Sequence, residues 1–472
     1  MMMLAMTGFI TSCNINSEKS IEKPNIIFIM VDDLGYGHLG CYGQQKIYTP
    51  NIDHLASEGM KFTQFYSGAS VCAPSRSTLM TGMHSGHTSV RSNSGGTPLL
   101  AEDITIAEVL KQPGYVTGIF GKWGLGDAGT EGVPNRQGFD DFFGYLHQVH
   151  AHYYYPYFLW ENDQKFLLPG NEGNKREQYT QDVITERAMD FIRSQKDKSF
   201  FLYLPYTVPH TELLVPDDSF NEYKGEFPEP APFVSKGKHV ADQPYPRTAF
   251  AAMITRMDRD IGRIMGLLEE LELDDNTIVF FTSDNGGQNG GGVDLEFFNG
   301  NGPLRGRKGQ LYEGGIRVPM IAWWPGKIEP EMVSDYIWTH WDVLPTLAEL
   351  AGAEISHEVD GISAAHVLLG EEKTGMQAEE RKFHYWEGGR AENLRQAVRM
   401  GNWKAVRLEP GAALELYKLD DDIGEQNDLA AEYPQIVKTI EDYLESARKE
   451  PRKYKPEPPT WGYPAEETGY VR

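Results

Sequence analysis

The sequence predicts an α/β fold, with a large, mostly parallel sheet sandwiched by helices and a smaller C-terminal α+β subdomain built on an antiparallel sheet. Short apolar runs alternate with amphipathic, helix-like segments up to about residue 375, and closely spaced short strands follow that point. Continuous apolar runs suit strands that are covered on both faces, as in a parallel sheet. Strand–helix alternation of this kind is typical of an α/β sandwich.

Four apolar runs are the predicted central strands, and a polar cluster follows each of them. The runs and their clusters are Ile26–Val31 with Asp32-Asp33, Tyr115–Phe120 with Gly121-Lys122, Phe200–Leu204 with Pro209-His210, and Thr277–Phe281 with Ser283–Gly286. In open α/β sheets the ligand binds beyond the carboxyl ends of the strands. We therefore expect the four polar clusters to meet at one edge of the sheet.

Amphipathic segments between these runs are the predicted helices. Ile104–Leu110 repeats apolar residues at helical spacing, and Ala249–Leu271 is a long amphipathic stretch. Thr180 suits the N-cap of a helix over Val183–Ile192, because a threonine side chain can accept a hydrogen bond from the first turn. These helices are expected to cover the sheet.

The C-terminal part, residues 376–472, is predicted to form the α+β subdomain. Its predicted strands are Gln396–Arg399, Trp403–Val406 and Leu414–Tyr417, followed by a helix over roughly Tyr433–Arg448 and an irregular tail over Pro451–Arg472. The short spacing between the strands favours antiparallel pairing.

The first 23 residues are predicted to be a lipoprotein signal and linker. Ile10-Thr11-Ser12-Cys13 ends a short apolar stretch and resembles a bacterial lipobox, in which the cysteine is lipidated. The stretch is shorter than the about 20 apolar residues that a membrane-spanning helix needs. It also lacks the usual basic residues, so a frayed N-terminus is the alternative. The expected location is outside the cytoplasm, in the periplasm or at the cell surface, with Cys13 as the one possible membrane anchor.

The charge of the chain limits its partners. The sequence has 472 residues, with 44 Lys and Arg against 68 Asp and Glu, for a net charge of −24. This balance argues against nucleic acid as a partner. An anionic substrate would therefore need a local cluster of cations. Three cysteines cannot form a disulfide framework.

Two pairs of oxygen ligands follow the first and last central strands. Asp32-Asp33 and Asp284-Asn285 offer three carboxylates and an amide, with no histidine among them. Such a set suits a hard cation such as Ca²⁺ or, less well, Mg²⁺, rather than zinc. Each pair taken alone is also a common turn or helix-cap sequence.

A distinctive segment surrounds Cys72. A lone cysteine is more often a small buried hydrophobe than a nucleophile. Pro74 is placed as in the first turn of a helix, which would put Cys72 near a helix N-terminus, where the dipole favours an anion. The pentapeptide Cys72-Ala73-Pro74-Ser75-Arg76, with Leu79-Met80-Thr81-Gly82 after it, is far more specific than a lone cysteine.

These motifs resemble those of the formylglycine-dependent sulfatases of the alkaline-phosphatase superfamily, most of all the bacterial carbohydrate sulfatases. Further segments similar to family blocks, in the family order, are Asn25–Gly35, Gly121-Lys122-Trp123, Pro209-His210, Ser283–Gly286 and Gly306–Pro319. The resemblance implies an alkaline-phosphatase-like fold, with a catalytic sulfatase domain over residues 24–375. It also implies a sulfated carbohydrate as substrate.

The resemblance also implies a metal and a modified nucleophile. A sulfatase-maturing or formylglycine-generating enzyme would oxidise Cys72 to formylglycine. The hydrated aldehyde would attack sulfur, expel the alcohol and then release sulfate as it collapses back to the aldehyde. The implied calcium ligands are Asp32, Asp33, Asp284, Asn285 and an oxygen of modified Cys72.

The remaining catalytic positions follow from the same resemblance. Arg76, Lys122 and Lys308 match the family's cationic positions and would hold formylglycine and the sulfate oxygens. His210 matches the histidine that protonates the leaving oxygen.

One position departs from the family pattern. The family commonly has a histidine two residues after the first lysine, and this chain has Gly124 there. His147 or His150 is expected to compensate and to contact the substrate. The alternative is that both pack against the neighbouring aromatic run, Tyr153–Trp160.

The expected substrates are O-sulfated sugars of polysaccharides or glycans, of the galactose or N-acetylgalactosamine type. Two alternatives stay open. Some phosphonate and phosphodiester hydrolases of the superfamily also use formylglycine, and an inactive paralogue that binds sulfated glycans would share the same motifs. The sequence shows no second metal set of the kind that two-zinc phosphatases carry.

Overall fold

The strands lie in three sheets of ten, two and four strands, over the residues that the computed structural model describes, 23–93, 98–236, 240–371 and 381–452. The strands are β1 Asn25–Val31, β2 Met60–Phe62, β3 Phe65–Tyr66, β4 Val116–Lys122, β5 Asp141–Tyr145, β6 Phe158–Glu161, β7 Gln164–Leu167, β8 Phe200–Pro205, β9 Thr277–Ser283, β10 Met320–Trp323, β11 Met332–Ser334, β12 Trp338–Thr339, β13 His384–Gly388, β14 Arg395–Met400, β15 Trp403–Arg407 and β16 Glu415–Lys418. The predicted signal with Cys13, the boundary near residue 375 and the tail after residue 452 lie outside the described ranges.

The ten-stranded sheet is mostly parallel, as predicted. Its order is β11-β2-β10-β9-β1-β8-β4-β5-β6-β7, and the four predicted strands are the adjacent strands β9, β1, β8 and β4. These four run parallel to one another and to β5, whereas β10, β6 and β7 pair antiparallel with the neighbour that lies nearer the centre. The carboxyl ends of the four predicted strands therefore meet at one edge, which we call the carboxyl edge.

Apolar layers cover both faces of the sheet, because the central strands place apolar side chains on both faces. All seven residues of β1 are buried. Ile27, Ile29 and Val31 join one buried cluster with residues of α4 and α6, and Ile26, Phe28 and Met30 join another with residues of α2, α3 and α8. The helices are α1 Pro50–Ser57, α2 Cys72–Thr81, α3 Ile106–Lys111, α4 Thr180–Gln195, α5 Asp217–Tyr223, α6 Pro246–Glu270, α7 Glu313–Ile316, α8 His340–Ala351, α9 Ala365–Leu368 and α10 Pro434–Leu444.

The three helices predicted between the central strands are α3, α4 and α6. One detail differs. Thr180 is the first helical residue of α4, and Tyr179 is its N-cap. The Thr180 hydroxyl bonds instead to Tyr145 Oη, at 2.7 Å, and to the Tyr154 carbonyl, at 3.1 Å, so tertiary partners use the side chain that the sequence offers as a cap. No helix in the described part of the chain is long and apolar enough to cross a membrane.

The C-terminal sheet is an antiparallel meander of β13, β14, β15 and β16, with α10 packed against it. The three predicted strands are β14 to β16, and the predicted helix ends at Leu444 rather than Arg448. The sequence analysis missed β13, because His384–Gly388 mixes polar and aromatic residues without a clear period. The fold class predicted from sequence is confirmed.

Candidate active site at the carboxyl edge

Helix α2 places Cys72 at the carboxyl edge. Cys72 is its first residue, after an extended Val71, and all ten residues of the helix are buried. Arg76 follows one turn later, on the same face of the helix as Cys72. The helix therefore directs a thiol and a guanidinium toward the ends of the central strands.

The carboxylates of β1 and the amide of Asn285 surround the thiol. Cys72 Sγ lies 3.3 Å from Asp32 Oδ1 and 3.9 Å from Asp33 Oδ1. Asn285 Nδ2 donates to Asp33 Oδ1 at 2.8 Å, and the backbone N–H of Asp33 donates to Asp284 Oδ1 at 3.1 Å. The ends of β1 and β9 thus hold the four predicted oxygen ligands together beside Cys72.

Cations from three different segments close the cluster. Arg76 donates to Asp284 Oδ2 through Nε, at 3.2 Å, and Nη2, at 2.8 Å. Lys122 Nζ lies 2.6 Å from Asp32 Oδ2, and Lys308 Nζ lies 2.7 Å from Asp33 Oδ2. We call these six charged residues, together with Cys72 and Asn285, the edge cluster. Its three cations are the local positive group that an anionic substrate requires in a chain of acidic composition.

His210 completes the predicted set. Its Nε2 lies 3.4 Å from Asp33 Oδ2, and its Nδ1 bonds to the carbonyl oxygen of Thr211. The second contact fixes the tautomer, because a carbonyl can only accept, so Nδ1 carries a proton. Nε2 is therefore the nitrogen that faces the edge cluster. Burial and the charge of Lys308 lower the pKa of His210 to about 3.

The pKa values of the three buried carboxylates shift in different directions. Burial raises the pKa of Asp32, but the charges of Lys122, His210, Arg76 and Lys308 outweigh burial and hold it well below its usual range. Burial and the neighbouring Asp32 charge raise the pKa of Asp284 to about 6, and burial also raises the pKa of Asp33. The protein's own cations therefore do not fully stabilise three carboxylates here, which favours an additional bound cation.

The donor set fits a hard cation. Asn285 Oδ1 is buried and has no hydrogen-bond partner among the described residues, while Asn285 Nδ2 donates to Asp33 Oδ1 and to the carbonyl of Gly286. Both bonds use the amide nitrogen, so they leave the amide oxygen without a donor. A buried acceptor without a donor is costly, and a cation would satisfy it. Oxygen ligands of this kind are those that calcium prefers.

Cys72 as encoded is a poor nucleophile. Burial and the charges of Asp284 and Asp32 raise the pKa of the Cys72 thiol, and the residue is 1% exposed. Thiolates rather than thiols attack electrophiles and bind metals. An unmodified thiol held among carboxylates therefore explains no hydrolysis, and the position gains chemistry only if sulfur is exchanged for oxygen.

His147 and His150, the two residues expected to compensate for Gly124, lie in different environments. His150 packs between the rings of Tyr145 and Phe158, with centroids 5.1 and 4.6 Å away. The Val149 N–H donates to His147 Nδ1 at 3.1 Å, and burial together with the charge of Lys122 lowers the pKa of His147 to about 4. The structure places His150 in the aromatic packing, as the alternative interpretation expected.

His152 is the histidine that sequence reasoning missed. Its ring stacks on that of His210, with centroids 4.4 Å apart and an interplanar angle of 22°. It lies in the same segment of the chain as His147 and His150. Nothing in the local pattern distinguishes three histidines within six residues, because their directions depend on a loop path.

Comparison with known proteins gives a consistent result. A family model described as Sulfatase matches residues 24–353, and one described as N-sulphoglucosamine sulphohydrolase, C-terminal, matches residues 307–450. Arylsulfatase A of Homo sapiens is 33% identical over 453 residues, covering 88% of this chain and 81% of that protein. N-acetylgalactosamine-6-O-sulfatase of Bacteroides thetaiotaomicron is 29% identical and covers 93% and 97%. The solved structure of Ps i-CgsB in complex with k-i-k-neocarrahexaose has a TM-score of 0.76 at 28% identity, covering 92% and 95%.

Proposed function

Because the chain belongs to the sulfatase family and is a sulfuric ester hydrolase, we propose that it removes sulfate from O-sulfated sugars by means of a formylglycine made from Cys72 and one calcium ion. One observation carries the proposal. Cys72 lies 3.3 Å from a carboxylate of a hard-cation donor set, within a cluster that also holds three cations suited to an anionic ester.

The proposed sugars are of the galactose or N-acetylgalactosamine type. The Bacteroides relative is named for an N-acetylgalactosamine 6-sulfate, and a similar solved structure holds a neocarrahexaose. The net charge of −24 means that the general surface repels sulfated glycans. Binding would therefore depend on the edge cluster and on the groups that hold the sugar beside it.

Asp32, Asp33, Asp284 and Asn285 would hold the calcium ion, together with an oxygen at the Cys72 position. When bound, the ion would polarise the sulfuryl oxygens and lower the pKa of the attacking hydroxyl. The Cys72 side chain sits where that hydroxyl would be, because its Sγ already lies within contact of Asp32 and Asp33.

The cations divide into a positioning group and a substrate-facing group. The side chains of Arg76 and Lys122 are 1% exposed and pair with carboxylates of the cluster, and Arg76 also donates to the Lys122 carbonyl. The side chain of Lys308 is 17% exposed and that of His210 is 8% exposed. The substrate would therefore enter from the Lys308 and His210 side, with its leaving oxygen toward His210.

His210 would protonate the leaving oxygen through Nε2. Its pKa of about 3 without substrate reflects burial and the charge of Lys308. A sulfate ester bound beside the ring brings a negative charge and favours the protonated imidazole. The bond from Nδ1 to the Thr211 carbonyl keeps Nε2 aimed at the site while the proton moves.

A maturing enzyme is the proposed protein partner. Cys72 is buried in the first turn of α2 and is 1% exposed. An oxidising enzyme cannot reach a side chain in that position, so the modification would take place before α2 packs against the sheet.

We also propose that the protein is exported, with Cys13 as a possible lipid anchor. The proposal rests on the lipobox-like Ile10–Cys13 segment. Metabolic labelling with a radioactive fatty acid should label the wild-type protein, and Cys13→Ala should lose the label. An unlabelled wild-type protein would contradict the anchor without affecting the proposed activity.

The experiment that tests the activity is a panel of monosulfated monosaccharides, assayed for sulfate release by enzyme co-expressed with a maturing enzyme. Phosphonate monoesters and phosphodiesters are assayed beside them. We expect kcat/KM to be highest for a sulfated galactose or N-acetylgalactosamine. Faster cleavage of a phosphonate monoester would contradict the proposal, and so would activity confined to simple aryl sulfates.

A further inference from the structure

Position 124 favours glycine. Gly124 has a φ of +74°, in the left-handed region that non-glycine residues rarely adopt. A Cβ atom at this residue would lie 2.2 Å from Gln148 Nε2, which also donates to the Gly124 carbonyl at 3.3 Å. The Gln148 side chain therefore fills the space beside Lys122 and Trp123 into which a larger residue would extend.

His152 approaches the site from another direction. It is the last residue of a short 3₁₀ helix over His150–His152, which follows β5. Its ring stacks face to face on that of His210, at 4.4 Å between centroids. His210 follows β8. Two loops at the carboxyl edge therefore each contribute one imidazole of the stacked pair.

Hydrogen bonds between the two loops hold the stacked rings. The Glu212 N–H donates to the His152 carbonyl at 3.3 Å, and the Tyr154 hydroxyl lies 2.8 Å from the carbonyls of both Thr207 and His210. The Tyr154 N–H in turn donates to Glu212 Oε1 at 3.4 Å. These hydrogen bonds between the loops fix the relative position of the two rings. The stack is therefore held by the structure around it.

Charged groups of the active site act on the His152 ring. Burial and the charges of His210, Lys122 and Lys308 lower the pKa of His152 well below its usual value, while Asp32 opposes them. All four of these neighbours belong to the active site. A neutral imidazole at this position can donate one N–H without adding charge to the cluster.

We propose that His152 contacts the substrate and donates a hydrogen bond to the sulfate ester on its leaving-group side, beside His210. The inference rests on the proposed function. It assigns to His152 a place in the site that neither position 124 nor His150 supplies in this chain, because position 124 is a glycine and the His150 ring is packed between Tyr145 and Phe158. The donated hydrogen bond breaks no bond and needs no further reactant.

The leaving group gives the sharpest test. His152→Ala and His152→Gln are compared with the wild type on a series from 4-nitrophenyl sulfate, through 4-methoxyphenyl sulfate, to the preferred sugar monosulfate. A donor on the leaving-group side matters most when the departing oxygen is most basic. We expect His152→Ala to lower kcat/KM by about 100-fold on the sugar sulfate and by less than about 10-fold on 4-nitrophenyl sulfate. His152→Gln, which keeps a donor, should recover part of the loss.

Controls separate this role from a structural one. His54→Gln, at an exposed position in α1, should match the wild type on every substrate. Formylglycine content by intact mass and the melting temperature are measured for each variant. Losses of equal size across the series, or no loss in folded and fully modified His152→Ala, would overturn the inference.

The failure of the proposed function has a different signature. If fully modified wild-type enzyme releases no sulfate from any ester, the proposed function fails, whatever the variants do. If the wild type is active and His152→Ala matches it, only the role of His152 fails. If His152→Ala does not fold, the comparison of His152→Leu with the wild type decides, because leucine removes the donor and preserves most of the side-chain volume.

Discussion

Two buried charge networks in this protein use the same kinds of side chain and behave differently. The first is the edge cluster around Cys72. The second, which we call the sheet-junction cluster, consists of Glu313, Arg317, Lys404 and Glu425 and joins α7 to the C-terminal sheet. Each network pairs carboxylates with lysine and arginine at the end of a structural element. The contrast between them shows how a fold separates structural charges from catalytic ones.

The sheet-junction cluster is saturated. Lys404 Nζ lies 2.8 Å from Glu313 Oε1 and 3.4 Å from Glu425 Oε1, and all three side chains are fully buried. Glu313 Oε2 accepts from Tyr66 Oη at 2.6 Å, and Glu425 Oε2 accepts from the Glu313 N–H at 2.7 Å. The acceptors of Glu313 and Glu425 are met by protein donors, so the cluster has no position for a ligand.

The edge cluster is left incomplete. Asn285 Oδ1 has no partner among the described residues, and the side chain of Lys308 is 17% exposed. A buried network with an unmet acceptor and an accessible cation costs stability and offers binding. The comparison shows that an unmet acceptor and an accessible cation, rather than a high density of buried charge, distinguish the functional site.

The largest effect is expected from Cys72→Ala. Removing the residue that carries the nucleophile should lower kcat by about 10⁴-fold or more, because a triad nucleophile removed from other hydrolases has effects of this size. Stability should change little, since one small side chain is lost. Sulfate release from the preferred sugar and the melting temperature are measured together. Activity above about 1% of the wild type would contradict the role of Cys72.

Lys404→Met should break the sheet-junction cluster and leave the chemistry intact. Removing one partner of a buried ion pair typically costs about 3–5 kcal/mol of unfolding free energy, because the other charge stays buried and unpaired. Urea unfolding measures the loss, and kcat per folded molecule should match the wild type. Lys438→Met is the control, because its pair with Asp442 is exposed and its loss should leave the unfolding free energy nearly unchanged. Equal losses in both variants would contradict the distinction.

Calcium should stabilise the folded protein by binding at the edge cluster, and it should not bind at the sheet-junction cluster. Calcium at 100 times its Kd should raise the unfolding free energy by about 2.7 kcal/mol relative to chelated protein, if it binds only the folded state. Magnesium should do less, since it prefers a small octahedral site. Asn285→Leu should remove most of the calcium-dependent rise in melting temperature, while Lys404→Met should keep it. A melting temperature that ignores both calcium and chelator would count against the metal site.

Glu425→Gln should have the smallest effect on stability. It tests the sheet-junction cluster through the pH dependence of the melting temperature. Burial, opposed by the charge of Lys404, raises the pKa of Glu425 from its usual 4.5 to about 7. The folded state therefore binds a proton that the unfolded state releases. The stabilisation from Glu425 is complete below pH 4.5 and falls as pH rises through 7.

Glutamine mimics the protonated side chain, so this contribution should be absent from the variant. The melting temperature of Glu425→Gln, relative to that of the wild type, should rise between pH 4.5 and 7.5. Taking the difference between the two proteins cancels other buried acids of raised pKa, such as Asp127 and Asp258. A difference that stays constant with pH would show that Glu425 is ionised throughout.

Strand direction predicted the part of the edge cluster that follows β1, β4 and β9, whereas Cys72, Arg76 and Lys308 were proposed from the family resemblance. Apolar runs predicted β1, β4, β8 and β9, and parallel strands bring the residues that follow them to one edge. His152 could not be separated from His147 and His150, because Tyr154 and Glu212 fix its loop through contacts about 50 to 60 residues away in sequence. The sheet-junction cluster was missed for a related reason. Charged residues at positions 313, 404 and 425 are normally assigned to the surface, and only tertiary packing buries them together.

The mass of the peptide that contains Cys72 tests the central claim most directly. Protein co-expressed with a maturing enzyme should yield this peptide without sulfur and two hydrogens and with one added oxygen, as formylglycine requires. Sulfate release across preparations should increase in proportion to that modified fraction. Full activity in a preparation whose Cys72 peptide keeps its sulfur would contradict the account.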